Sequence, residues 1–402
     1  MKNMVISERS EQIFPHLVDL RRTLHRHPEL AFEEQQTATI VMDELRRLEI
    51  PFEYGGVGGG IIARLEHHCA AAPVIALRAD MDGLPGEEST GLPFASENPG
   101  RMHACGHDGH MAMVLGAAAL LTQNPPEGTV VFIFQPAEER GGGSRVMIAA
   151  GALEGVNAIF GGHVTRHYKV GEIMVASGVI TAHSDRFTIR VRGRGGHGAR
   201  PHEAVDAVVV AGLLIMAVQT LVSREINPAE PSVVTIGRIE AGSAANVIAE
   251  TAILEGSIRT TTADVRHHII NGLQRIAKAV GELHNAQIEV EIREGYPPVI
   301  NTETETDIAR RAVLRTLGPP GLVAMDYPSM GSEDFSYYLR QVPGCYVRFG
   351  ARREHWENIP LHSPSFDFDE TVLKVGAAFF EQVVREAIAY YSHASEAVIT
   401  QT

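Results

Sequence analysis

The 402-residue chain is poor in cysteine: Cys69, Cys105 and Cys345 are odd in number and widely spaced. That excludes a disulfide framework and fits a reducing cytoplasm. Long apolar runs are also missing. The longest, Ala207 to Val218, is too short to span a bilayer and is expected as a buried helix. Met1 to Phe14 has no apolar core of the secretory type, so no leader peptide is expected. A cationic excess is absent as well. The formal charge of −14 argues against nucleic acid or an anionic membrane as partner. No internal repeat or low-complexity segment interrupts the chain. What is present, 44% apolar and 21% charged residues, is the composition of a soluble globular protein. The length exceeds one ordinary core, so two domains are expected.

The densest chemistry lies in Met102-His103-Ala104-Cys105-Gly106-His107-Asp108-Gly109-His110. A thiolate and an imidazole two positions apart can reach one ion, and Gly106 between them permits a tight turn. Sulfur with nitrogen suits zinc or another borderline transition metal. Taken alone, the stretch reads equally well as an inert cysteine near solvated histidines at a helix start. Partners elsewhere decide between the two.

Ile6 to Arg26 carries a helical stripe of Ile13, Leu17, Leu20 and Leu24, and Thr37 to Leu48 a second one. His25 and His27, beside the helix stop at Pro28, are expected as surface or packing residues. Residues 74–80 form a continuous apolar run ending in charge, as a central parallel strand does. Such strands deliver functional side chains at their carboxyl ends, here Asp80 and Asp82. Residues 129–134 repeat the pattern and end at Glu138 and Glu139; residues 158–163 end at His163. A helix is expected from about Asp108 to Gln123. This alternation implies a doubly wound α/β sheet with candidate ligands along one edge.

From Ala182 the texture changes. The expected order is strand 187–192, helix 203–223, strands 232–239 and 252–259, helix 263–283 and strand 288–292. This βαββαβ order is that of a ferredoxin-like α+β module. It is read as an insert, 182–295, within a discontinuous catalytic domain of 1–181 and 296–402. Gly178 to Ala182 and Gly295 to Pro298 are the expected hinges. Strand 345–349 and a long helix from about Asp369 to Tyr391 complete the first domain, with His362 in the loop between them.

A two-metal hydrolytic centre needs a bridging anion, terminal ligands and a base for the attacking water. Cys105 can bridge, because a thiolate has lone pairs for two ions. His107, His163 and His362 offer neutral nitrogen. One of Glu138 and Glu139 would supply a carboxylate ligand and the other the base. Singly, each has a plainer reading: a solvated loop start for the glutamates, a core histidine for His163, a surface loop for His362. Their combination at successive strand ends raises the metal-centre reading.

These segments resemble the M20 metallopeptidase/amidohydrolase family, in the branch of hippurate hydrolases, N-acyl-amino-acid amidohydrolases and indole-acetyl-amino-acid hydrolases. The resemblance runs through residues 24–30, 78–85, 102–108, 135–139, 162–164, 195–202, 246–248, 331–335 and 361–363. It implies two divalent ions (Zn, Mn, Co or Ni) held by Cys105, His107, Glu139, His163 and His362, with Glu138 as general base. Asp80-Met81-Asp82 stands where the wider family has a histidine ligand, which implies that both aspartates orient ligands. The resemblance gives His197 the developing oxyanion and Asn246 and Arg259 the substrate carbonyl and carboxylate. It also implies that the insert serves as a lid and dimerisation domain. Arg166, His167 and Ala249 stand where relatives often have proline. The expected activity is hydrolysis of N-acyl amino acids by a cytoplasmic homodimer. A dipeptidase or carboxypeptidase, an N-carbamoyl-amino-acid hydrolase, and a silent conjugate-binding relative are the alternatives.

Overall fold

The structure is a computed structural model describing residues 7–66, 72–353, 356 and 359–399. Cys69 lies outside the described residues. The chain divides into two compact units. One comprises Met1–Gly178, Ile300–Asp326 and Asp334–Thr402; the other comprises Val179–Val299 and Tyr327–Glu333. The second therefore takes in a short return segment beyond the stretch 182–295.

The first unit is built on an eight-stranded sheet. Its four central strands, Thr129–Gln135, Val74–Asp80, Ala158–Lys169 and Gly344–Arg352, run parallel in that spatial order. Three of them are buried almost throughout and Ala158–Lys169 as far as Val164, as expected of a sheet covered on both faces. Antiparallel Ile61–Leu65 and Phe52–Tyr54 extend one side. The helix His107–Gln123 is apolar all round and buried along nearly its whole length, which marks it as a core helix. Glu8–Arg26 and Thr371–Ile399 pack against it, closing a core that includes Leu17, Leu24, Leu115, Val347, Phe349 and Phe379.

The second unit has an antiparallel four-stranded sheet in the order Ser232–Ala241, Thr251–Thr260, His183–Arg192, Gln287–Arg293. With the helices Ala207–Thr220 and Ala263–His284 this makes the expected βαββαβ module. Phe187, Ile189 and Val191 alternate inward from their strand, as period two requires. Asp206 and Thr262 cap the two helices, accepting from first-turn amides.

One expectation is corrected here. The run from Ala207 is not a buried helix. Val210, Ala211, Leu214 and Val218 are buried, but Val208, Val209, Leu213 and Met216 are exposed, Met216 at 71%. A segment apolar on every side carries no signal of which side meets the core. Continued to Glu225, it is the one described helix long and apolar enough to cross a membrane by length and composition. Its inner stripe nevertheless belongs to this unit's core.

Candidate metal centre

All five candidate ligands and the candidate base lie in the first unit. Cys105 sits just before the helix His107–Gln123, and Gly106 at its N-cap has φ of 89°. A Cβ there would meet the Val164 side chain at 2.5 Å, so glycine is required for shape as well as for backbone. The turn presents Cys105 and His107 to His163, which stands on the strand Ala158–Lys169. The ligand atoms of these three lie within 4.8 Å of one another, with Cys105 Sγ and His163 Nε2 3.3 Å apart. Cys105, Glu139 and His362 form a second such group, and His107, Glu138 and Glu139 a third. His362 Nε2 is 3.1 Å from Glu139 Oε1. His362 is held in a left-handed backbone conformation, φ 67°, and its N–H donates to the Ala104 carbonyl.

The ring orientations are set by carbonyls. His107 Nδ1 lies 2.8 Å from the Asp82 carbonyl, and His163 Nδ1 2.6 Å from the Val164 carbonyl. A carbonyl only accepts, so both Nδ1 atoms donate and both Nε2 atoms face the cluster. His107 Nε2 is buried and makes no hydrogen bond. Burial disfavours its charge, but Asp80, Asp82 and Glu139 outweigh this and raise its pKa to about 10. The position asks for positive charge at Nε2, from a proton or from a metal. Burial drives His163 well down, so it stays neutral. Burial, with Glu139 and Glu138, pushes the Cys105 thiol well up. Only a cation among these donors would make it a thiolate at neutral pH. For Glu139, burial favours protonation, but His362 and His107 offset it and lower the pKa. One thiol, two Nε2 atoms facing it and a carboxylate thus fit a thiophilic divalent cation.

How two adjacent glutamates diverge is visible in their backbone. The strand Thr129–Gln135 ends in a turn where Ala137 has φ of 53°, an uncommon conformation outside glycine. Asp82 accepts the amides of Glu138 (3.1 Å) and Glu139 (3.0 Å) on its two oxygens. Glu34 Oε1 accepts the amide of Ala137 at 2.8 Å. Two carboxylates therefore hold three consecutive N–H groups. Glu138 Oε1 accepts the amide of Asp334 at 3.4 Å. Asp334 is fixed in turn by Arg78 Nη2, Gln135 Nε2 and the Ser144 amide, each at 2.9 Å.

Asp80 accepts from Arg78 at 2.7 Å and lies 2.6 Å from His110 Nδ1. His110 Nε2 accepts the Val164 amide at 2.9 Å. Both His110 nitrogens are thus engaged, and it braces the ligand-bearing strand. Of the two readings given for His25, surface or packing, the structure shows packing. His25 is buried, 2.8 Å from Asp108 Oδ2 and 3.3 Å from Glu88 Oε1. Asp108 also accepts from buried Arg21 at 2.9 Å.

The remaining candidates lie in the second unit. His197, on Gly196–His197, pairs with Val247 on Val247–Ile248, so it and Asn246 share one small ribbon. The Asn246 carbonyl accepts the Gly198 amide at 2.8 Å. His197 Nδ1 accepts the Ala199 amide at 3.0 Å, and its ring is exposed. Arg259, on the four-stranded sheet, is half-buried and donates to Ser332 Oγ at 3.0 Å.

Comparison with known proteins decides the family. Residues 76–386 match peptidase family M20/M25/M40. The chain belongs to this family. A relative, N-acetylcysteine deacetylase of Bacillus subtilis, is 40% identical over 91% of this chain and 95% of its own length. Thermostable carboxypeptidase 1 of Saccharolobus solfataricus is 38% identical over 90% and 92%. A crystal structure described as a dinuclear metal binding M20 peptidase, from Bacillus subtilis, superposes with a TM-score of 0.81. It is 34% identical and covers 94% of this chain and 99% of its own. The chain is thus an M20-type hydrolase with groups able to hold metal.

Sequence reasoning missed Glu34, Arg78, Gln135, His110 and the depth of Asp334. Arg78 and Asp334 stood in segments already singled out, but nothing in their spacing shows that they bond across 256 positions.

Proposed function

We propose that this M20 hydrolase cleaves the amide bond of N-acyl amino acids, releasing a carboxylic acid and an amino acid. Cys105, His107, Glu139, His163 and His362 would hold two divalent ions; zinc, manganese, cobalt and nickel all suit this donor set. Bound there, the ions supply Lewis acidity and lower the pKa of water. The observation that carries the reading is the cluster of Cys105, His107 and His163 beside two glutamates of unlike setting. Glu139 is paired with His362, whereas Glu138 takes its contact from the Asp334 amide.

Glu138 is the base that removes the proton from the attacking water and passes it to the leaving amine. Its carboxylate is aimed by the Asp334 N–H, and its backbone by Asp82. Asp80 and Asp82 orient His107 and the glutamate turn. His197 stabilises the developing oxyanion, Asn246 binds the substrate carbonyl, and Arg259 the α-carboxylate. The Bacillus deacetylase's name supports the acyl-amino-acid class. The Saccharolobus carboxypeptidase supports a second reading, peptide hydrolysis on the same residues.

The second unit serves as lid and as the contact of a homodimer. Exposed Val208, Val209, Leu213 and Met216 on one helix are the support, an apolar face of the kind that association covers. A cytoplasmic setting suits a centre that depends on a reduced Cys105. The test is a panel of hippurate, N-acetyl amino acids, dipeptides and N-carbamoyl amino acids. It is run on protein reconstituted separately with each of the four metals. Turnover confined to dipeptides would replace this reading with the second.

A further inference from the structure

Arg348 has no assigned role and stands beside the cluster. It lies on the strand Gly344–Arg352, where its register neighbour on the adjacent parallel strand is His163. Side chains alternate along a strand, so register neighbours leave the sheet from the same face. Arg348 is close enough to bear on His163 electrostatically. It is half-buried. Tyr346, two positions earlier, lies beneath its guanidinium at 5.5 Å. That tyrosine is fully buried and packed on Phe335, ring centres 4.9 Å apart. The guanidinium therefore has a firm aromatic floor.

What it lacks is an anion. The two fully buried arginines are saturated with carboxylates: Arg21 by Asp108, Asp367 and Glu370, Arg78 by Asp80 and Asp334. The Arg348 guanidinium forms no ion pair or hydrogen bond with any described residue. The carboxylates nearest in the site are committed elsewhere. Asp80 serves Arg78 and His110, Asp82 the amides of Glu138 and Glu139, and Glu139 pairs with His362. A partly desolvated guanidinium with its five N–H donors unused is built for a planar oxyanion. It stands on a strand that ends at the sheet edge where substrates of such folds bind.

We propose that Arg348 forms a carboxylate subsite for a second acidic group on the substrate, separate from the α-carboxylate given to Arg259. This rests on the N-acyl amino acid reading and narrows it to dianionic substrates. The second carboxylate comes either from an acidic amino-acid side chain or from a dicarboxylic acyl group. In both cases the guanidinium accommodates it through paired N–H donors.

The test compares wild-type, Arg348→Gln and Arg348→Lys proteins, each checked for fold by circular dichroism and for metal content. Substrates are N-acetylalanine, N-acetylglutamine, N-acetylglutamate and N-succinylalanine. Charge-assisted bonds of ordinary strength make Arg348→Gln raise KM about 10- to 100-fold for a dianionic substrate. The monoanionic substrates, N-acetylalanine and N-acetylglutamine, should stay within about threefold, and Arg348→Lys should keep part of the preference. Loss confined to N-acetylglutamate identifies the side chain as the source; loss confined to N-succinylalanine identifies the acyl group. Equal losses on all four substrates, or no loss on either dianion, would overturn the subsite. Failure of the functional reading looks different: wild-type protein would then turn over none of the four.

Discussion

Glu34 offers a quantitative handle on the glutamate turn. It is 2% exposed, and its Oε1 accepts the Ala137 amide while Oε2 is buried with no hydrogen bond. Burial, reinforced by the nearby charge of Asp82, raises its pKa from 4.5 to about 7 despite the nearby backbone of Glu34, Ala137 and Phe32, which acts the other way. A raised carboxylate pKa means that the folded chain binds the proton more tightly than the unfolded chain. The associated stability is complete below about pH 4.5 and is lost as pH climbs through about 7. The displacement corresponds to about 3 kcal/mol. Glu34→Gln keeps an oxygen for the Ala137 N–H and has no charge to desolvate. Glu34→Ala leaves that N–H without an acceptor, at a cost of about 1–3 kcal/mol.

Chelator-treated protein unfolded in urea at pH 5.5, 7 and 8.5 should therefore separate three behaviours. Wild type weakens mainly between pH 5.5 and 7 and levels off towards pH 8.5, by which point Glu34→Gln overtakes it, and Glu34→Ala is weaker than Glu34→Gln throughout. Restoring divalent metal should shrink the gap between wild type and Glu34→Gln, because a nearby cation favours the ionised carboxylate. Parallel pH profiles for wild type and Glu34→Gln, or equal stability of the Gln and Ala variants, would refute the clamp.

Three further outcomes are expected. Arg21→Met strands Asp108 in the core with His25 as its remaining ionic partner and should cost about 3–5 kcal/mol, read as a lowered thermal midpoint. Gly143→Ala puts a Cβ 1.7 Å from the Pro136 carbonyl oxygen. It should displace the turn bearing Glu138 and Glu139, seen as weaker metal retention on dialysis; unchanged retention would show that the turn yields freely. Leu213→Asp with Met216→Asp should convert the proposed homodimer to a folded monomer in analytical ultracentrifugation. A dimer surviving both substitutions would remove this helix from the interface.

Much of the first unit was legible because parallel strands concentrate chemistry at one edge. Apolar runs ending at Asp80, Glu138 and His163 had to place those groups together once the strands lay side by side. The Cys105–Gly106–His107 spacing marked the turn, and alternation in 187–192 marked the half-exposed sheet. Less legible were pairings between distant segments. Arg21 with Asp108, Arg78 with Asp334 and Glu34 with Ala137 span 87, 256 and 103 positions, and no local period encodes them. Whether His25 packed or faced solvent was open in the sequence, because its carboxylate partners lie on other elements. The helix at Ala207 misled for the opposite reason: uniform apolarity suggested burial where half the surface stays open.

The most direct test weighs metal content against turnover in Glu138→Gln and wild-type protein, each reconstituted, dialysed and assayed on N-acetyl amino acids. Expected are about two ions per chain in both, as the proposed two-ion centre requires, with hydrolysis in the wild type alone. Wild-type rates in Glu138→Gln, or wild-type protein that retains no metal yet hydrolyses its substrate, would contradict the account.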